Sequence, residues 1–322
     1  MGLARRWAVR RRVVGASWQG DNGKPRGHRP APTDEGGADL CEGRAPWLNA
    51  LMGRIRIDVY LETNAINHLL RPANAKALER LLSGSELRPI VSAMGVAELV
   101  ATANPTRRRK LLGLARDLTV EGKIVADRDD VIRATIAGFS TGDRRRVWRG
   151  ITQRATKRLL FSADRVDDED RSAALSGNRE IDSALDQGAE RLQRAELSPS
   201  DPREWVEGAS NNPETARHFL RKLHVAEPPL EALAGAISSD EPYVRSLRAA
   251  LLCTLGGAEM RRLPAPEEGG PVSGVDLTHG IYLACCEVFV SEDRDLQRLA
   301  SVVADHLAHH PSVSRVGAIT DL

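Results

Sequence analysis

Five carboxylates carry the clearest chemistry in this 322-residue chain. Glu62 closes an alternating apolar segment, "RIRIDVYLE", and Asp293 and Asp295 follow a second one, "VFVS". Glu98 falls in a helical stretch after the apolar run "RPIVSA", and Asp276 opens another helix just before "VFVS". Carboxylates gathered at one place raise each other's pKa and repel unless a cation joins them. An all-oxygen donor set favours a hard divalent ion, Mg²⁺ or Mn²⁺, which clamps a phosphate and activates water for attack on a phosphodiester. Each acid also has a plainer reading: Glu98 as an exposed helix residue, Asp276 and Asp293 as helix-start carboxylates favoured by the helix dipole, Glu62 as a loop charge. Their order along the chain and their positions at strand ends favour the joint reading. No zinc-type spacing of Cys and His, no Walker loop and no G-x-S-x-G motif competes with it.

The elements that must position these acids follow from periodicity. Ile55, Ile57, Val59 and Leu61 alternate with Arg56, Asp58 and Tyr60, which predicts a strand with the latter three on a polar face. "NAINHLL", stopped by Pro72, and "AKALERLL", stopped by Gly84, are helices; "RPIVSA" is a short buried strand, and "GVAELVATA" and the amphipathic "RRKLLGLARDL" are helices. The middle of the chain is polar and mostly helical, with "RRRVWRGITQRATKRLLF", "ETARHFLRKL" and "YVRSLRAALLCTL" as helices and "SADRVDDEDRSAALSGNRE" as a charged surface loop. After the Pro- and Gly-rich "LPAPEEGGPVSG" the alternation returns: helix "VDLTHGIYLACC", strand "EVFVSED", helix "RDLQRLASVVADHLA", strand "SVSRVGAIT". Strands separated by helices imply an α/β fold with a central parallel sheet, on which ligands bind beyond the carboxyl ends of the strands.

With the acids placed on those elements, the sequence resembles the PIN-domain nucleases. "VYLETNAINHLL", "VSAMGVAELV" and "VDLTHGIYLACCEVFVSEDRDLQRLA" match the family's order of a strand-end acid followed by Thr-Asn, a helix Glu, an Asp with a His one turn on, and a closing strand with Ser-x-Asp. The resemblance implies a three-layer PIN-like fold and a metal-dependent ribonuclease, with Glu62, Glu98, Asp276 and Asp293 as catalytic metal ligands and Asp295 as an additional one. It also implies Asn64 and Ser291 as polar supports, and His279 as structural rather than catalytic. Glu62 departs from the family, which usually has Asp there; the extra methylene shifts the carboxylate outward by one bond but keeps its charge. The matched regions assign residues 54–120 and 272–322 to a PIN-like core and 121–271 to a largely helical insertion; the family's toxins are far shorter. Residues 1–51 have the composition of a disordered basic segment, and Met52 at their boundary suggests an over-extended start. A homodimer and an antitoxin-like protein partner are expectations from the resemblance alone.

Composition sets the remaining bounds. Of 46 basic and 44 acidic residues, nine and five fall within 1–51, leaving 37 and 39 beyond it. Net charge therefore does not announce a nucleic-acid binder, and at 4% the aromatics are too few for a broad base-stacking platform. Local clusters take over that role: Arg107, Arg108, Arg109 and Lys110 at one helix start, and Arg144, Arg145, Arg146, Arg149, Arg154, Lys157 and Arg158 around Trp148. Arg145 and Arg149 are the expected phosphate contacts, with Trp148 for base stacking on an RNA substrate. Four cysteines, two of them adjacent, form no disulfide framework, and no apolar stretch is long enough to span a membrane, so a cytoplasmic protein is expected. Two other classes remain: a catalytically silent PIN-like scaffold that binds RNA or a protein partner, and a metal-dependent phosphatase. Glu62-Thr63-Asn64 argues against the phosphatase, which needs two Asp residues two apart after its first strand.

Overall fold

The computed structural model describes residues 56–142, 147–148, 150–176, 201–225, 229–261 and 274–322. The expected disordered segment, the Pro- and Gly-rich connection, Arg145 and Arg149 lie outside these residues. Five strands form one all-parallel sheet: β1 (Ile57–Leu61), β2 (Leu87–Ser92), β3 (Lys123–Val125), β4 (Val288–Val290) and β5 (Ser312–Ser314), in the order β3-β2-β1-β4-β5. β1 is central, with Tyr60 beside Ile90 on one side and Phe289 on the other. The chain runs outward through β2 and β3, then returns to the other side of β1, so the strand order reverses between β1 and β4. That reversal makes a topological switch point, where open parallel sheets bind ligands in the crevice beyond the strands' carboxyl ends.

Helices cover both sheet faces. On the face of Val59, Leu61, Val91 and Val290 lie α1 (Thr63–Leu69), α2 (Ala75–Ser83), α3 (Ala93–Ala101), α4 (Pro105–Glu121) and α6 (Ile151–Leu160). On the face of Tyr60, Ile90 and Phe289 lie α5 (Arg128–Thr141), α7 (Pro202–Ser210), α8 (Pro213–Lys222), α9 (Pro229–Ser238), α10 (Arg245–Met260), α11 (Gly274–His279) and α12 (Arg294–Asp305). The architecture is the expected three-layer α/β sandwich. Among the described residues no helix is long and apolar enough to cross a membrane.

Five details differ from the sequence reading. Lys123–Val125 is a sheet strand, so the sheet extends past the boundary expected at residue 120; three residues are too few for periodicity to register. Tyr60 belongs to no polar face. It is fully buried and stacks on Tyr282 and Phe289, with ring centroids 4.7 and 5.2 Å away, because the second helical layer covers that side of the sheet. The basic helix begins only at Ile151, after a turn containing Val147 and Trp148, and residues 168–176 of the expected charged loop are helical, with Asp167 accepting the Asp170 N–H at 2.9 Å at their start. The final apolar stretch is a strand only over Ser312–Ser314, then a 3₁₀ turn at Val316–Asp321.

Candidate functional site

The crevice between β1 and β4 is where the first acid lands. Glu62 follows β1 and caps α1, with Oε1 accepting the Asn64 backbone N–H at 2.8 Å. Its own N–H donates to the Val290 carbonyl at 3.0 Å, tying it to the end of β4. Ser291, the next residue after β4, donates its hydroxyl to Glu62 Oε2 at 3.1 Å and accepts the Asp293 N–H at 3.0 Å. Ser291 thus meets the acid with its side chain, whereas Asn64 reaches Glu62 through its backbone N–H. Glu62 is 1% exposed.

Glu98 comes from α3, whose cap Ser92 ends β2 and accepts the Gly95 N–H at 2.9 Å. Thr63 donates its hydroxyl to Glu98 Oε2. His279, the last residue of α11, places Nε2 3.2 Å from both Glu98 oxygens, while its Nδ1 lies 2.5 Å from the Tyr60 hydroxyl. That hydroxyl is in turn 2.9 Å from Ser92 Oγ. His279 and Tyr60 are both fully buried. Gly95 lets α3 lie close to these side chains: a Cβ there would stand 3.3 Å from Ser92 Oγ and 3.8 Å from the His279 ring.

Electrostatics couple these groups. Burial pushes the Glu62 carboxyl up to about 7; Glu98 and Asp276 add to the shift, while His279 and the Asn64 N–H oppose it. Burial works against an imidazolium at His279, but Glu98, Glu62 and Asp276 outweigh it and raise the pKa to about 9. Asp276, one helical turn before His279, therefore lies within electrostatic reach of both.

Glu62, Glu98 and His279 each offer a ligand atom within 4.8 Å of the others, and among the described residues they are the group so arranged. Asp276, Asp293 and Asp295 stand outside that triad. The Asp293 carboxylate caps α12, accepting the Leu296 N–H at 2.8 Å, while the Asp293 backbone N–H is what links it to Glu62, through the Ser291 hydroxyl. Asp295 sits in the first turn of α12. Sequence reasoning gave His279 a structural role and missed Tyr60 and Thr63. The available signals were the one-turn spacing of Asp276 and His279 and the hydroxyl residue immediately after Glu62.

The expected cationic contacts divide. Trp148 is half-buried and packs on the core, its ring centroid 6.3 Å from that of Tyr282, so it does not stand free for base stacking. Arg108 is buried and donates to the Thr102 carbonyl at 3.2 Å. Arg107, Arg109 and Lys110 on α4 and Arg154, Lys157 and Arg158 on α6 are exposed. Arg107 reaches Asn67 Oδ1 at 3.4 Å, and Asn67 donates to the Thr63 carbonyl at 3.2 Å, so the α4 cluster adjoins the helix that Glu62 caps.

Compared with known proteins, the chain matches no family model, no curated protein and no solved structure.

Proposed function

We propose that the chain is a metal-dependent nuclease of PIN-like type that hydrolyses RNA phosphodiesters. The observation that carries this reading is the convergence of Glu62 and Glu98 with His279 at the crevice between β1 and β4, where a parallel sheet binds its ligands. Two carboxylates and an imidazole with ligand atoms this close make a chemically suitable donor set for a divalent ion. Such an ion would supply positive charge to a phosphate and acidify a water. Glu62 and Glu98 hold it, Asp276 adds negative charge from α11, and Ser291 and Thr63 orient the carboxylates. Arg107, exposed on α4, offers a phosphate contact beside the crevice.

A second reading, the silent scaffold, is favoured by one observation: His279 Nε2 already pairs with Glu98, and the surrounding carboxylates raise its pKa to about 9, so the imidazole can serve as their counter-charge. One experiment separates the two. The full chain is incubated with labelled single-stranded and structured RNAs in EDTA, Mg²⁺ or Mn²⁺, alongside Asp276→Asn. The nuclease reading expects cleavage that requires metal and falls at least about a hundredfold in the variant, the scale of losing an electrostatic group from an active site. Absence of cleavage together with absence of metal binding would leave the scaffold.

A further inference from the structure

We propose that His279 Nε2 is itself a metal ligand, forming with Glu62 and Glu98 a one-nitrogen, two-carboxylate centre that takes Mn²⁺ in preference to Mg²⁺. The inference rests on reading the crevice as a metal site and goes beyond it by assigning the nitrogen donor and the ion it selects.

Three observations support it. Nε2 lies equally far, 3.2 Å, from both Glu98 oxygens. A charge-assisted N–H···O bond is normally shorter, about 2.7–2.9 Å. Neighbouring ligands on an octahedral ion with bonds of about 2.1 Å stand about 3 Å apart, close to the spacing of His279 Nε2 from Glu98, and the Glu62 ligand atom lies within 4.8 Å of both. The other ring nitrogen is anchored: Nδ1 meets the buried Tyr60 hydroxyl, which is backed by Ser92, the kind of outer support that fixes the ring of a metal-binding histidine. Finally, among the described residues no Lys or Arg forms an ion pair with Glu62 or Glu98, and His279 pairs with Glu98 alone. A cation between the three would meet ligands already converging.

The nitrogen decides selectivity. Mg²⁺ prefers oxygen donors and keeps its waters, whereas imidazole suits first-row transition ions. With Nδ1 held by the Tyr60 hydroxyl, Nε2 is the ring nitrogen turned towards Glu98 and the one placed to meet an ion.

The test uses the full chain stripped with EDTA and titrated with Mn²⁺, read by pulsed electron paramagnetic resonance on samples with natural-abundance and ¹⁵N-labelled histidine. The expected result is a nitrogen coupling that changes with the label and an Mn²⁺ affinity at least about tenfold above that for Mg²⁺ in competition. His279→Gln should abolish the coupling and weaken Mn²⁺ about tenfold or more, while His68→Gln, on the neighbouring helix, retains both. The labelled wild-type signal does not depend on whether His279→Gln folds. Mn²⁺ bound without nitrogen coupling, or displaced equally well by Mg²⁺, would overturn the inference and leave an all-oxygen nuclease site standing. Failure of any divalent ion to bind would overturn both this inference and the metal-nuclease reading.

Discussion

Glu62 and His279 make the metal-free crevice sensitive to pH in one direction. Both pKa values are raised in the folded chain, Glu62 to about 7 and His279 to about 9. A raised folded pKa means that the native state holds its proton more tightly than the unfolded chain, so stability is largest below the unfolded value and declines as pH climbs through the folded one. In EDTA, the melting temperature should therefore fall between pH 7 and 9. His306 and His309, whose pKa values burial lowers, are neutral throughout that window and cannot mask the effect. His279→Gln, if folded, should flatten the decline. A wild-type melting temperature that stays level or rises would remove the buried imidazolium. The same residues show what the sequence could convey. Glu62, Glu98 and Ser291 were legible because strand ends and caps leave local signatures. His279 was legible as the histidine one turn after Asp276, but not as a partner of Glu98, since that contact bridges 181 positions and no local pattern encodes such a meeting. Tyr60 was misplaced because alternation identifies two faces but not whether a second layer covers one of them.

At the scale of elements, the middle of the chain supports the site rather than hanging from it. α10 is buried along most of its length and packs against α11, α12 and the 3₁₀ segment Gly280–Cys285. The approach is close enough to require glycine: a Cβ at Gly280 would lie 2.0 Å from Cys253 Sγ, and one at Gly257 would lie 2.3 Å from a Leu277 methyl. Since His279 and Asp276 ride on α11, α10 sets their position relative to Glu98. Gly280→Ala should cost about 1–3 kcal/mol through overpacking, measured by denaturant unfolding, and should weaken divalent-ion binding by displacing His279. Adding Cys253→Ala should restore part of both losses by removing the sulfur in the way. A Gly280→Ala chain with unchanged stability and metal affinity would show that α10 does not set the geometry. Most strands and helices were legible from period and punctuation, including the Pro72 and Gly84 stops. β3 was not, and without it the middle of the chain read as a helical insertion; helices of that stretch complete the second layer over Tyr60 and Phe289.

At the scale of the molecule, the near-equal 37 basic and 39 acidic residues beyond position 51 leave no net field to draw in a polyanion, so any RNA path must be local. α4 and α6 pack against each other and carry exposed Arg107, Arg109, Lys110, Arg154, Lys157 and Arg158. Arg107 joins this surface to α1 beside Glu62. A strand following these cations would pass from α6 across α4 to the crevice. Removing one cation that neutralises a phosphate of single-stranded RNA should lower the slope of log affinity against log salt by about 0.7. Arg107→Glu with Lys110→Glu should therefore weaken RNA binding and make that slope shallower by about 1.4 if both residues touch phosphate, measured by fluorescence anisotropy in EDTA over a range of KCl. Arg203→Glu provides a control on α7, where Arg203 pairs with Asp305 in the opposite layer, and should leave the slope unchanged. If the paired α4 variant keeps the wild-type slope while the Arg203 variant flattens it, RNA runs over the second helical layer instead, and the link from Arg107 to the crevice is not part of its path.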